Sequence, residues 1–122
     1  MRRWFAFGAL NGALAVAAGA FAAHGLKAQL SPDMLAVFDT GARYHLIHAL
    51  ALCAAALAAD RFAPRPAKAA AVLFAVGIFL FSGSLYLLAL TGVRGFGFVT
   101  PFGGVAFIAG WLTLAWSGLR KG

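Results

Sequence analysis

The sequence predicts an all-α integral membrane protein, a four-helix bundle closely packed through small residues with both termini cytoplasmic. Four apolar stretches fill most of the 122-residue chain, at Trp4 to Ala23, Tyr44 to Ala59, Ala67 to Leu90 and Phe102 to Leu119. A helix rises about 1.5 Å per residue, so roughly 20 apolar residues cross the ~30 Å hydrocarbon layer. Three stretches reach or nearly reach that length, and the second does so if its helix starts near Asp39. Composition agrees, with 63% of residues hydrophobic and 11% charged, against about a quarter charged in soluble domains. The chain reads as one membrane domain over residues 1–122, with spans at about 4–24, 39–59, 67–90 and 101–119.

The first span follows Arg2-Arg3. With Ala20-Phe21-Ala22 behind it, this region resembles a secretory signal with a small-residue cleavage site, but the apolar run is long for such a segment and is expected to remain as a membrane helix. Gly25, after His24, is placed to end that helix in a left-handed conformation. Ser31-Pro32-Asp33 then reads as a helix start: serine caps free amides, proline suits the first position, and aspartate favours the positive end of the dipole. A helix from there to Ala59 exceeds the bilayer, so its first two turns lie in or above the interface. Pro64 and Pro66 mark the next loop, Thr91-Gly92-Val93-Arg94-Gly95 opens the last one, and Pro101 can start the fourth helix. Gly95-Phe96-Gly97-Phe98 carries no phosphate-loop signal, since no strand precedes it.

Small residues recur at spacings that suit helix contacts in lipid, where close backbone approach replaces the hydrophobic driving force. On helix one Gly8, Gly12, Ala15, Gly19 and Ala22 alternate four and three apart, and Gly103, Ala106, Gly110, Thr113 and Ser117 repeat the pattern on helix four. Ala70, Gly77, Ser84 and Thr91 recur at sevens, and Ala42, His45, Ala49, Cys53 and Ala56 could supply the seam on helix two. Spacing near 3.5 keeps one face toward a partner. Cys53 is the single cysteine, which excludes an intrachain disulfide.

The formal charge is +7, and its distribution matters more than its size. Arg2, Arg3, Arg61, Arg65, Lys68, Arg120 and Lys121 fall on one side of a four-span chain, and Lys27, Arg43 and Arg94 on the other. Seven against three over short loops predicts cytoplasmic termini in a multi-pass protein of the bacterial inner membrane. Cations gathered between spans in this way argue against nucleic acid as a partner.

Polar groups in lipid are expensive, which singles out Asn11, His24, Asp39, Arg43, His45, His48, Ser82, Ser84 and Tyr86. Asp39 and Arg43, four apart, share a helix face and can form an ion pair; Tyr44, His45 and His48 occupy another. The histidines allow two readings. In one, neutral imidazoles hydrogen-bond Asn11, a serine, Tyr86 or a backbone carbonyl. In the other, His24 with His45 or His48 ligates a metal or haem. The structural reading is favoured, because three histidines without a cysteine or carboxylate cluster are a weak ligand set, and no cofactor is expected. Asp39 with Arg43 is expected to be a surface pair, and Asn11 interhelical glue.

Gly8-Ala9-Leu10-Asn11-Gly12-Ala13 and Gly19-Ala20-Phe21-Ala22-Ala23-His24-Gly25-Leu26-Lys27 resemble motifs of the domain of unknown function 423 family, small bacterial inner-membrane proteins. The likeness continues through Thr40-Gly41, Tyr44, His48-Ala49-Leu50-Ala51-Leu52, Phe81-Ser82-Gly83-Ser84-Leu85-Tyr86 and Thr100-Pro101-Phe102-Gly103-Gly104, covering essentially the whole chain. The animal transmembrane protein 256 group looks related. The resemblance implies a four-helix membrane protein and no established activity. Ala22 replaces the family's usual glycine, and glutamine is frequent at the position of His45, which lowers His45 as an obligatory ligand; His24 and His48 match motif positions.

Two functions follow as expectations. The first is a structural, accessory or self-assembling membrane component, with the lipid bilayer, further copies or a larger complex as partners. The alternative is a binding or transport protein with a ligand, metal or haem near His24, Tyr44 and His48. An enzyme is not expected: the carboxylates are Asp33, Asp39 and Asp60 alone, and no nucleophile is paired with a base.

Overall fold

Hydropathy and cap chemistry set the elements. The computed structural model describes residues 1–120, so Lys121, counted in the charge asymmetry, lies outside the described residues. The helices are α1 (Arg2–His24), α2 (Pro32–Arg61), α3 (Pro64–Gly77), α4 (Gly83–Thr91) and α5 (Thr100–Leu119). A π-helical segment, Ile78–Ser82, joins α3 to α4 into one span, and a 3₁₀ turn, Arg94–Phe98, precedes α5. Four helices are thereby long and apolar enough to cross a membrane, and there are no strands among the described residues.

The start of α2 follows from its sequence: Ser31 Oγ accepts the Met34 amide at 3.2 Å, with Pro32 and Asp33 in the first turn. Gly92 ends α4 with φ 73°, its amide bonded to the Leu88 carbonyl at 2.8 Å. Gly25 does not do the same for α1. It stays right-handed at φ −72°, because the chain winds on in further turns that bury Leu26 against Phe38, Ala22 and Ala89. Pro64 and Pro66 also sit inside the first turn of α3 rather than in a loop, since those positions need no amide donor. Only Phe62 and Ala63 separate α2 from α3.

The helix α2 is the hub: α1 packs on it from one side and the α3–α4 span from the other, while α5 packs chiefly on α3. Half of the apolar stretch of α2 is buried, against 22% for α1 and 17% for the last span. Leu52, Ala55, Ala70, Ala71, Phe74 and Phe107 form the main cluster. Met1 and Leu114 both pack on the cluster of Ala58, Ala59 and Ala67, which brings the N-terminus and the last turns of α5 to one end of the bundle.

The buried face of α1 differs from the small-residue seam. Gly8, Asn11, Ala15 and Ala22 point inward, whereas a Cβ on Gly12 or Gly19 would meet no atom within 4 Å. Asn11 sets this rotation, because its amide takes the inward place that spacing alone gives to Gly12. On α5 Gly103, Ala106, Gly110 and Ser117 are buried, and on the third span Ala70, Gly77 and Ser84 are, while Thr91 is exposed.

The π segment is a local feature that periodicity did not predict. The Gly83 amide reaches back five residues to the Ile78 carbonyl, and Gly103 of α5 lies directly against the Phe81 backbone, where a Cβ would collide with the Phe81 nitrogen. Ser82 is fully buried there, and its hydroxyl has no hydrogen-bond partner.

Candidate functional site

Two polar assemblies cross the bundle through α2. In the first, His45 Nδ1 lies 2.9 Å from the Tyr86 hydroxyl and Nε2 lies 2.9 Å from Asn11 Oδ1. Asn11 Nδ2 donates to the Phe7 carbonyl at 2.9 Å, which orients the amide and leaves Oδ1 to accept. Nε2 of His45 therefore carries its proton, and Tyr86 donates to Nδ1. The array ties α1, α2 and α4 together and terminates on a helix carbonyl. Gly41 admits the Tyr86 ring, since a Cβ there would stand 3.1 Å from Tyr86 Cε1. One turn along α1 from Asn11 and two turns along α2 from His45, Gly8 admits Cys53, whose thiol reaches the Phe5 carbonyl at 3.6 Å.

The second assembly is centred on His48, one turn further along α2. Its Nδ1 donates to the Tyr44 carbonyl at 2.7 Å, and its Nε2 accepts the Trp111 indole N–H at 3.1 Å. The ring stacks on Phe107 at 3.5 Å and 7°, with Phe74 at 5.8 Å. Both nitrogens are engaged and both faces of the tautomer question are answered by the partners: a carbonyl can only accept, and an indole N–H can only donate. Tyr44 stacks beside it, and an open groove of about 510 Å³ runs past Tyr44, His48, Phe81 and Trp111 with Arg43 at its mouth.

The remaining candidates lie apart from these. Arg43 pairs with Asp39 at 3.2 Å with both side chains more than half exposed, so it is a surface ion pair. Ser84 donates to the Phe81 carbonyl and meets Thr100 Oγ1 at 2.5 Å, tying α4 to the start of α5. His24 is exposed at the end of α1. It is not brought to His48: the pairing of Asn11 with His45 and of Phe21 with Phe38 places His24 about 20 Å along the α2 axis from His48. His48 moreover turns toward α5, away from α1, so the juxtaposition that joint ligation by the two requires does not occur. Among the described residues no group of three or more His, Cys, Asp or Glu side chains could hold a metal ion.

Trp111 and Phe107 were not singled out from the sequence. A signal for Trp111 did exist, since an indole N–H far from either helix end needs a hydrogen-bond partner within the protein. Nothing local pointed to Phe107.

Similar proteins carry the same kind of chain. A UPF0382 membrane protein, YwdK, of Bacillus subtilis is 44% identical over 115 residues, covering 93% of this chain and 94% of the relative. The UPF0382 inner membrane protein YgdD of Escherichia coli is 40% identical over 114 residues, covering 93% and 87%. A UPF0382 membrane protein of Haemophilus influenzae is 42% identical, covering 93% and 90%. No solved structure is significantly similar. The family model described as "Protein of unknown function (DUF423)" matches residues 18–104, through α2, the third span and the start of α5. The chain belongs to this DUF423 family of UPF0382 membrane proteins.

Proposed function

We propose that the protein is a non-enzymatic component of the bacterial inner membrane, a closely packed bundle that acts through the surfaces it presents to further copies or to a larger complex. The observation that carries this reading is the condition of the buried histidines: His45 and His48 spend all four ring nitrogens on protein groups. Three of these four bonds run between helices, and interhelical hydrogen bonds of this kind hold helices together in lipid. Small residues support the same reading, with Gly8 against Cys53, Gly103 against Phe81 and Gly110 against Phe74. The cation asymmetry supports an orientation with both termini in the cytoplasm.

Assembly draws support from α1. It packs chiefly on α2, its Gly12 and Gly19 face open space, and Leu10, Leu14 and Val16 are exposed. Native mass spectrometry of protein extracted in mild detergent, with absorbance and elemental analysis of the same sample, tests the proposal. The expected result is a homo-oligomer or a copurifying subunit with neither a Soret band nor stoichiometric metal. A monomer carrying a chromophore or metal at one per chain, lost in His48→Asn, would overturn it.

A further inference from the structure

The end of the bundle that holds Met1 carries cations in excess. Arg2 and Arg3 stand in the first turn of α1 and Lys68 in the first turns of α3. Among the described residues the one ion pair is Asp39 with Arg43, at the opposite end. Two hollows flank the first turn of α1 and share Arg2 and Arg3. One, of about 790 Å³, runs between α1 and α2 with Phe5, Ala6 and Leu57 as apolar wall. The other, of about 440 Å³, adds Trp4 and Lys68. Asp60 lines the first hollow and is the single described carboxylate at either, so the balance of the three cations against it is positive.

An apolar wall at membrane depth beneath uncompensated cations is complementary to an amphiphile of the opposite sign. We infer that these joined hollows bind an anionic phospholipid, its phosphate among Arg2, Arg3 and Lys68 and one acyl chain along Phe5, Ala6 and Leu57. Basic pockets between membrane helices select lipid headgroups in this manner. A zwitterionic lipid brings its own cation into the same cluster and is disfavoured there. Free phosphate makes no use of the wall. The site lies apart from the buried histidines, and its binding does not depend on the proposed function.

Native mass spectrometry with added phosphatidylglycerol or phosphatidylcholine tests the site. Wild type is expected to retain phosphatidylglycerol and to release phosphatidylcholine at the same activation energy. Combined Arg2→Gln, Arg3→Gln and Lys68→Gln should weaken phosphatidylglycerol binding roughly 100-fold, taking each cation near the surface at its typical worth. Because removing cations can also change insertion, Ala6→Trp serves as the second variant: it fills the groove with the charges intact and should likewise abolish the adduct. Arg94→Gln, at the other end, should leave it unchanged. Equal retention of the two lipids, retention in either groove variant, or loss in Arg94→Gln would each overturn the assignment.

Discussion

One methyl group added at Gly110 of α5 would stand 2.7 Å from Phe74 Cε1, 2.8 Å from Cδ1 and 3.3 Å from Cζ. Ordinary contact begins near 3.4 Å, so the ring must retreat by about 0.7 Å. It has no room to do so. Phe74 is fully buried, with Trp111 at 5.1 Å and His48 at 5.8 Å between ring centroids. Overpacking of this kind costs about 1 to 3 kcal/mol, while glycine to alanine inside a helix gains up to about 1 kcal/mol from propensity. Gly12→Ala on α1 receives the same gain and meets nothing within 4 Å. The difference between the two variants isolates the steric part, so Gly110→Ala should be about 1 to 3 kcal/mol less stable than Gly12→Ala. Unfolding by SDS titration in mixed micelles, followed by far-UV circular dichroism, measures it. Equal stability of the two variants would refute the argument that Gly110 is there to admit Phe74.

Further outcomes follow from the polar contacts and the charge pattern. Tyr86→Phe and Asn11→Ala should each cost about 1 to 2 kcal/mol, as interhelical hydrogen bonds do in model membrane peptides, whereas His24→Ala on an exposed residue should stay within about 0.5 kcal/mol; the same SDS titration compares them. Ser82→Ala removes a buried hydroxyl without a partner and should be neutral or stabilising, while Ser117→Ala breaks a bond to the Ala63 carbonyl and should cost about 1 kcal/mol; thermal melts in one detergent rank the pair. A reporter active only outside the cytoplasm should work when fused after Leu30 or Arg94 and fail after Pro64 or Gly122, and activity at Gly122 would refute the inward orientation of the termini.

The parts of the fold that were legible are those written within a few residues of one another. The cap at Ser31, the proline in the first turn of α5 and the break at Gly92 each follow from backbone chemistry that neighbours do not alter, whereas Pro64 and Pro66 read as loop and stand in the first turn of α3. Span count follows from apolar run length. The direction each helix faces is another matter. On α1 the even alternation of Gly8, Gly12, Ala15 and Gly19 suggested a seam, but the burial of Asn11 rotates the helix and leaves Gly12 and Gly19 outside. Nor does spacing reveal the π turn, which arises where Gly103 brings the α5 backbone against Phe81. The polar site was legible as a set of residue types but not as a set of pairs. His45 meets partners 34 residues before and 41 after it, and His48 meets Trp111 63 residues away, distances over which one chain carries no local signal.

The turn between α2 and α3 has a consequence for biosynthesis. Ala63 is buried, its carbonyl accepts the Ser117 hydroxyl at 2.9 Å, and its amide donates to the Ser117 carbonyl at 3.3 Å. During synthesis the preceding spans emerge first, since chains fold from the N-terminal side as they are made. The carbonyl also accepts the Ala67 amide within α3 at 3.3 Å, but until α5 arrives the Ala63 amide must remain hydrated, because an unmatched buried amide costs about 1 to 3 kcal/mol. The hairpin of α2 and α3 is thus held open to water at its tip until the last helix docks, and completion of the chain is what allows that tip to close.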